Sequence, residues 1–206
     1  MAKQGRKPVH LSMQGGKDNR QRLWEALREN RDGFTWYGLS RTAGVTDETA
    51  NTYLRALHKS GYIAPLPEAR DTAGDRCFHL LRDVGAEAPR LKSDGTPSLQ
   101  GLGTEAMWRT LRVLGELDAK QLAEHASIAA ETSVATAKNY LKWLKWAGYV
   151  QEVVPSRPGR LARYRLAPGK YTGPRPPMIQ KCGQLYDANL EQVVYRRTRE
   201  TEGEPA

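Results

Sequence analysis

Four arginines stand close together between residues 157 and 165, and their spacing indicates a charged binding element. Arg157 and Arg160 flank a Pro-Gly pair, and Arg163 and Arg165 follow. Pro-Gly is typical of a tight turn, so the pattern predicts a hairpin tip that presents guanidinium groups. Guanidinium groups bind phosphate and suit the negative potential of a narrow DNA minor groove. The alternative is a solvated hairpin end whose charges keep a strand edge from aggregating.

A second group of bases lies upstream, on a segment with helical periodicity. Ala137, Leu141 and Leu144 fall at positions i, i+4 and i+7, which predicts the buried face of a helix. The opposite face suits the DNA major groove, where Asn pairs with adenine and Lys reaches guanine or phosphate. A solvated polar helix face is the alternative. The candidate residues on this helix are Thr136, Lys138, Asn139, Lys142 and Lys145.

The same helix pattern occurs earlier in the chain. Residues 49–63 (TANTYLRALHKSGYI) and 136–150 (TAKNYLKWLKWAGYV) are identical at seven of fifteen positions, at a constant offset of 87. Such a density of matches at core and cap positions indicates an internal repeat. In the first copy two acids, Asp47 and Glu48, come before the candidate residues and are expected to repel phosphate. These candidates are Thr49, Asn51, Thr52 and Arg55.

Both copies predict the same order of elements: two helices, a turn, a third helix and a β-hairpin with a polar tip. Four residues are expected as helix N-caps, namely Asp18, Thr35, Thr104 and Asp118. The predicted helices are 18–29, 36–43 and 46–60 in the first copy and 104–114, 119–126 and 133–147 in the second. The predicted strands are 62–64, 77–81, 149–154 and 164–166, with hairpin tips at 68–76 and 155–163.

Two resemblances follow from these residues. Residues 39–63 (LSRTAGVTDETANTYLRALHKSGYI) resemble the winged helix-turn-helix signature, and the second copy resembles it too. This resemblance implies a mainly α fold with small β wings (α+β), in two tandem winged helix-turn-helix domains that bind double-stranded DNA. The tail segments TGPRPPMIQ (172–180) and YDAN (186–189) resemble proteins of Mu-like transposable prophages. That second resemblance implies phage or mobile-element biology and no particular reaction.

Charge distinguishes the two copies. The chain has a net charge of +9 and a pI of about 9.7, which favours a polyanionic partner, either nucleic acid or an anionic membrane surface. Residues 133–170 hold eight bases and one acid, a net charge of +7, whereas residues 46–83 hold five bases and six acids. Phosphate neutralisation supplies most affinity that is independent of sequence. The second copy is therefore expected to anchor DNA, and the first to add discrimination.

Several classes of function find no support in the residues. There is no apolar run long enough for a transmembrane helix, and the basic amino terminus lacks the apolar region of a secretory signal. Cys77 and Cys182 stand far apart, which suits a reduced, cytoplasmic protein, and DNA binding would place that protein on the bacterial nucleoid. The four histidines form no metal-spaced set with them, and neither a phosphate-binding loop nor a nucleophile–base pattern occurs. We therefore expect no enzymatic activity, no cofactor and no metal.

The predicted domains leave room for partners other than DNA. Trp143 and Trp146 are candidates for contact with the first domain, for a protein partner or for self-association. The tail is expected either to dock on the second domain or to bind a partner. The linker of about twenty residues could be extended or lie along the domains; if it is extended, two domains could reach successive major grooves, roughly 34 Å apart. The predicted ranges are a basic arm (1–17), winged-helix domain 1 (18–83), a linker (84–103), winged-helix domain 2 (104–170) and a Pro-rich tail (171–206). The tail pattern favours a small β-hairpin followed by a disordered end.

The leading functional hypothesis is a transcriptional regulator of a phage or mobile element. An accessory DNA-binding protein for transposition, replication or recombination is one alternative. A winged-helix scaffold for protein interactions is another, favoured by the near-neutral first copy.

Overall fold

The chain is a mixed α+β protein with small antiparallel sheets. The computed structural model describes residue 13, residues 15–70 and residues 73–197, which contain six helices and eight short strands. Two compact units divide these residues, Ser12–Ser98 and a second that begins at Leu99. Most of the predicted basic arm and the predicted disordered end lie outside the described residues. None of the described helices is both long and apolar enough to cross a bilayer.

The first unit begins with two short helices that polar caps stabilise. Asp18 accepts a hydrogen bond from the backbone N–H of Gln21, and Thr35 accepts one from Gly38, so both predicted N-caps are confirmed. A third helix and an antiparallel hairpin follow. The elements are α1 (Asn19–Glu29), α2 (Trp36–Thr42), α3 (Asp47–Lys59), β1 (Ile63–Arg70) and β2 (Arg76–Leu80).

The second unit repeats this order with one additional short strand. The Asp118 carboxylate accepts a hydrogen bond from the backbone N–H of Gln121, and the Gln121 side-chain oxygen accepts one from the backbone N–H of Asp118, which forms a capping box at the start of the second helix. The prediction of Thr104 as an N-cap is wrong, because the first helix begins two residues earlier and follows Gly101, whose φ is +89°. The elements are α4 (Leu102–Leu114), β3 (Leu117–Asp118), α5 (Ala119–Ser127), α6 (Val134–Trp146), β4 (Val150–Val154) and β5 (Arg163–Leu166).

The strand between the first two helices of each unit was not predicted. In the second unit β3 pairs with β5, which gives a three-stranded sheet of order β3-β5-β4. In the first unit a single bridge joins Phe34 to Phe78 at the matching place. Two residues are too few to show a period of two, so the sequence pattern carries no signal for this strand.

The repeat is kept closely from the third helix onward. Helix α3 starts at Asp47 and α6 at Val134, and β1 and β4 start at Ile63 and Val150, so the offset of 87 holds for both pairs. A glycine follows the C-cap residue of each third helix: Gly61 after α3 and Gly148 after α6. Both glycines have a φ of +71°. That left-handed conformation ends both helices as predicted, since glycine adopts it without a Cβ clash.

The segment predicted as a linker, residues 84–103, packs for the most part on the first unit, so the predicted end of that domain at residue 83 is wrong. The indole N–H of Trp24 donates to the carbonyl oxygen of Gly85 at 2.8 Å, and the Tyr53 hydroxyl donates to Pro89 at 3.0 Å. Leu91 packs against the core of the unit. Buried donors need acceptors, and this Pro- and Gly-containing segment supplies them through its backbone carbonyls. A free connection of twenty residues is therefore absent from this part of the chain.

The tail is likewise part of the second unit. The indole N–H of Trp108 donates to the Gly173 carbonyl oxygen at 2.9 Å, as Trp24 does to Gly85 in the first unit. Leu185 is completely buried in the core of the second unit, so that core does not end at residue 170. The predicted hairpin occurs and gains a third strand. The strands are β6 (Met178–Gln180), β7 (Gln184–Asp187) and β8 (Gln192–Arg196), in the order β6-β7-β8.

Candidate nucleic-acid interface

Helix α6 buries the face that the sequence predicts. Ala137, Leu141 and Leu144 are each at most 1% exposed, and they pack in the core of the second unit. The side chains of Lys138 and Asn139 lie on the opposite face and are exposed to solvent. The helix therefore presents a basic side chain and an amide to any ligand that approaches from outside.

The remaining helix candidates have partners within the unit. The Thr136 hydroxyl lies 2.9 Å from the Ser133 hydroxyl, beside the N-cap of α6. The Lys142 ammonium group sits 5.0 Å from the centre of the Trp146 ring, a cation–π contact that holds the side chain along the helix. The Lys145 ammonium group forms an ion pair with Glu152.

Glu152 changes the expected contribution of Lys145. This glutamate on β4 is the one acid between residues 133 and 170, and it lies within ion-pair distance of Lys145. Part of the positive potential at Lys145 is thereby compensated. The sequence pattern gives no signal for this contact, because seven residues and a change of element separate the partners.

The tip of the β4–β5 hairpin places two arginines opposite each other. Arg157 and Arg160 exchange backbone hydrogen bonds of 3.0 and 2.9 Å around Pro158 and Gly159, whose φ is +77°. Both arginine side chains are exposed. Like charges on opposed residues are unfavourable unless an anion lies between them. The hairpin tip predicted from the Pro-Gly pair is therefore present, and phosphate binding by its two arginines stays a prediction.

Arg163 lies away from the tip, at the start of β5. Its Nε atom is 3.1 Å from a carboxylate oxygen of Glu116, and its Nη2 atom donates to the Glu116 carbonyl oxygen at 3.2 Å. The side chain is half-buried. The structure thus separates Arg163 from Arg157 and Arg160 and gives it a role in holding the sheet together. Spacing along the sequence cannot make this distinction, because Glu116 is distant in the chain.

The four candidates of the first unit match four of the second at the offset of 87. Thr49 corresponds to Thr136, and its hydroxyl lies 2.9 Å from that of Thr46. Thr52 corresponds to Asn139 and donates its hydroxyl to the Glu48 carbonyl oxygen. Asn51 is half-buried and Arg55 is exposed, at the positions of Lys138 and Lys142. The outward face of α3 therefore has the same arrangement of candidate positions as that of α6, with less positive charge.

The first of the two acids that begin α3 behaves differently from the expectation. Asp47 accepts a hydrogen bond from the Ser40 hydroxyl and forms an ion pair of 2.7 Å with Arg41. Arg41 in turn lies 4.6 Å above the ring centre of Tyr37. Asp47 is thus turned toward α2 and partly neutralised, so it repels phosphate less than a free carboxylate would. Glu48 remains exposed.

Charge separates the two units when it is counted over each whole unit. Residues 12–98 hold thirteen Lys and Arg and twelve Asp and Glu, a net charge of +1. Residues 99–197 hold fifteen bases and eight acids, a net charge of +7. The tail strands and the segment after β2 therefore leave the predicted asymmetry unchanged.

The two tryptophans of α6 contact the tail of their own unit. The rings of Trp143 and Trp146 lie 5.9 and 5.8 Å from the ring of Tyr195 on β8. Trp143 is only 7% exposed. The interpretation of Trp143 as a surface for a partner or for self-association is therefore wrong. The tail fills that place, and a contact over fifty residues along the chain leaves no local sequence signal.

No protein-family model matches this chain, and no curated protein matches it either. Its function is therefore argued from the geometry and the charge of the two units.

Proposed function

We propose that this chain binds double-stranded DNA through two winged helix-turn-helix units, and that the second unit is the main anchor. One observation carries the proposal: α6 exposes Lys138 and holds the half-buried Lys142 one turn further along, and the hairpin that follows ends in the exposed Arg157 and Arg160. Helix α6 itself contains no acidic residue. A helix with this face enters a major groove, while the wing contacts the backbone or the minor groove.

The order of elements supports the winged helix-turn-helix assignment. Each unit runs from a first helix through a short strand or bridge to two further helices and an antiparallel hairpin. The third helix of each unit buries one face and exposes the other. In proteins with this order the third helix is the one that reads base pairs.

Phosphate neutralisation makes the proposal quantitative. If four bases of the second unit each neutralise one phosphate, the binding constant falls with a slope of about −3.6 on a log–log salt plot. Raising the salt from 50 to 200 mM then weakens binding by roughly a hundredfold. The first unit, with a net charge of +1, contributes little to this slope and adds sequence discrimination.

The biological setting of the proposal is transcriptional regulation in a phage or mobile element, on the nucleoid and in the cytoplasm. An accessory role in transposition, replication or recombination would use the same contacts. A reporter assay without other phage proteins separates these two roles. A regulator alone represses or activates the reporter, whereas an accessory protein acts only together with the transposition, replication or recombination proteins.

A second candidate function applies to the first unit. Its net charge of +1 and the ion pair between Asp47 and Arg41 leave little free positive charge beside α3, which favours a protein-binding scaffold. Under this alternative the second unit alone contacts DNA.

The full chain, a random duplex pool and matched variants test the proposal. We expect selection to yield a preferred site whose binding depends on salt as above. Lys142→Ala should weaken binding and reduce the salt slope by about 0.9, whereas Arg55→Ala, at the matching position of the first unit, should change the slope less. Absence of binding to any duplex at low salt contradicts the proposal. Equal losses for both variants contradict the assignment of the second unit as the anchor.

A further inference from the structure

The turn before α6 is longer than its counterpart in the first unit. Leu39 and Ala43 match Leu122 and Ala126 at an offset of 83, whereas the third helices match at 87. The second unit therefore holds four more residues between its second and third helices. We call residues 127–132 the α5–α6 loop.

The α5–α6 loop is held in one conformation by its own hydrogen bonds. The Ser127 hydroxyl donates to the Thr132 carbonyl oxygen at 3.2 Å and accepts the Thr132 backbone N–H at 3.1 Å. The Thr132 hydroxyl donates to the Ala130 carbonyl oxygen at 2.7 Å, and Thr132 is buried. A loop tied in this way presents its outward side chains in fixed positions.

Ile128 is the side chain that this loop presents. It is 85% exposed, more than any other large hydrophobic residue in the described part of the chain. Single exposed apolar residues are common on protein surfaces. Here, however, the loop leads into α6, whose first two residues are apolar and exposed as well. Val134 is 39% exposed, and Ala135 is exposed.

The first unit has acids at the places of these two helix residues. Val134 and Ala135 correspond to Asp47 and Glu48 at the offset of 87. The start of α6 is thus apolar where the start of α3 is acidic, and the basic and polar face with Lys138 follows immediately. The apolar residues at the start of α6 are thus followed on the same helix by the exposed Lys138 and Asn139, a combination that complements a duplex and does not suit an apolar partner alone.

We propose that Ile128, Val134 and Ala135 contact the 5-methyl groups of thymines in the major groove. This inference rests on the proposed binding of DNA by α6. The thymine methyl is the apolar feature that base edges present in the major groove, and apolar side chains are its natural contacts. If these three apolar side chains packed against phosphates or polar base edges, they would remove water from those groups without replacing the lost hydrogen bonds. The surface therefore selects sites with thymine opposite the amino end of α6.

Uracil substitution tests the inference, because it removes the methyl group and leaves the base-pairing edges unchanged. The full chain is titrated with its selected duplex and with duplexes in which single thymines are replaced by deoxyuridine. We expect about a fourfold loss of affinity for each contacted methyl group, which corresponds to about 0.8 kcal/mol. Equal affinity for the thymine and uracil duplexes overturns the inference and leaves the binding of DNA intact.

Variants assign the effect to the loop. The ratio of the affinity for the thymine duplex to the affinity for the deoxyuridine duplex should fall toward one at one position in Ile128→Ala. Ile128→Val should keep most of this ratio. Val113→Ala is the matched control, because Val113 is 70% exposed on α4 and should leave the ratio unchanged. A ratio that Ile128→Ala leaves unchanged overturns the role of Ile128. Loss of binding to every duplex by the unmodified chain would instead contradict the proposed function itself.

Discussion

The hydroxyl of Tyr149 donates a hydrogen bond of 2.6 Å to a carboxylate oxygen of Asp187, and this bond joins the start of β4 to the tail strand β7. The Thr172 hydroxyl donates to the same oxygen at 2.6 Å, and the backbone N–H of Asn189 donates to the other at 2.8 Å. Asp187 is completely buried. A buried carboxylate is tolerated when donors surround it in this way. Asp187 therefore fastens the tail to the residue that precedes β4 in the second unit.

Removing the Tyr149 hydroxyl should destabilise the second unit. We expect Tyr149→Phe to lower the free energy of unfolding by about 1–3 kcal/mol, because a buried carboxylate loses a donor. Denaturant titration of the full chain measures this change. Tyr62→Phe, at the matched position of the first unit, is the control and should cost less. Equal losses for the two variants would contradict the special role of Asp187.

Truncation at residue 170 should prevent the second unit from folding. It removes β6 to β8, which uncovers the ring of Trp143 and deletes the core residue Leu185. Loss of a buried leucine side chain alone costs about 2–5 kcal/mol, a large part of the stability of a domain this size. We expect residues 99–197 to melt cooperatively and residues 99–170 to show no cooperative transition. A common melting temperature for the two fragments would refute this.

Two arginines of the hairpin should respond differently to alanine substitution. Arg160→Ala should weaken binding to all duplexes alike and reduce the salt slope by about 0.9, without changing stability. Arg163→Ala should mainly loosen the sheet, because it removes the contact with Glu116; for a half-exposed pair the cost is about 1 kcal/mol or less. Binding titrations and thermal melting, done in parallel, separate the effects. A salt slope flattened equally by Arg163→Ala would place that residue on DNA after all.

The exposed amide of Asn139 should contribute to sequence preference. If Asn139 pairs with adenine, Asn139→Ala weakens binding to the selected site by about 1–3 kcal/mol and binding to random duplex much less. Thr52→Ala, the matched substitution in α3, should have a smaller effect because the Thr52 hydroxyl already donates to the Glu48 carbonyl oxygen. An equal loss on selected and random duplexes rejects a base-reading role for Asn139.

Alkaline pH should destabilise the protein through its buried tyrosines. Burial, reinforced by Asp187, raises the pKa of Tyr149 above its ordinary value of 10.0, and burial likewise raises the pKa of Tyr140. A raised pKa means that the unfolded chain ionises first. The stabilising effect is therefore complete below about pH 10 and is lost as the pH rises further. Each such tyrosine adds at most about 1.4 kcal/mol per pH unit to the rate at which the free energy of unfolding falls with pH. Unfolding measured between pH 8 and 12 should show a shallower fall for Tyr149→Phe; an unchanged slope would contradict this.

Local sequence patterns determine the helices, their caps and the repeat. The spacing of Ala137, Leu141 and Leu144 predicts the buried face of α6, and a polar N-cap with a partner three residues later, as at Asp118, marks a helix start. The pair of glycines 61 and 148 predicts where both third helices end. These signals lie within one or two helical turns, so they can be read without knowing the rest of the fold.

Tertiary structure alone decided which side chains remain available to a ligand. Arg163 and Lys145 resemble their basic neighbours in sequence, yet Glu116 and Glu152 engage them. Trp143 is an interface candidate in the sequence, but in the structure Tyr195 on β8 packs against its ring. In each case the partner lies on another element, and the energy of the contact depends on distance and burial in space. The sequence predicts the segments after β2 and β5 as a linker and a tail because their side chains are largely polar. In the structure their backbone carbonyls accept hydrogen bonds from the buried indoles of Trp24 and Trp108, and side-chain composition does not predict such backbone contacts.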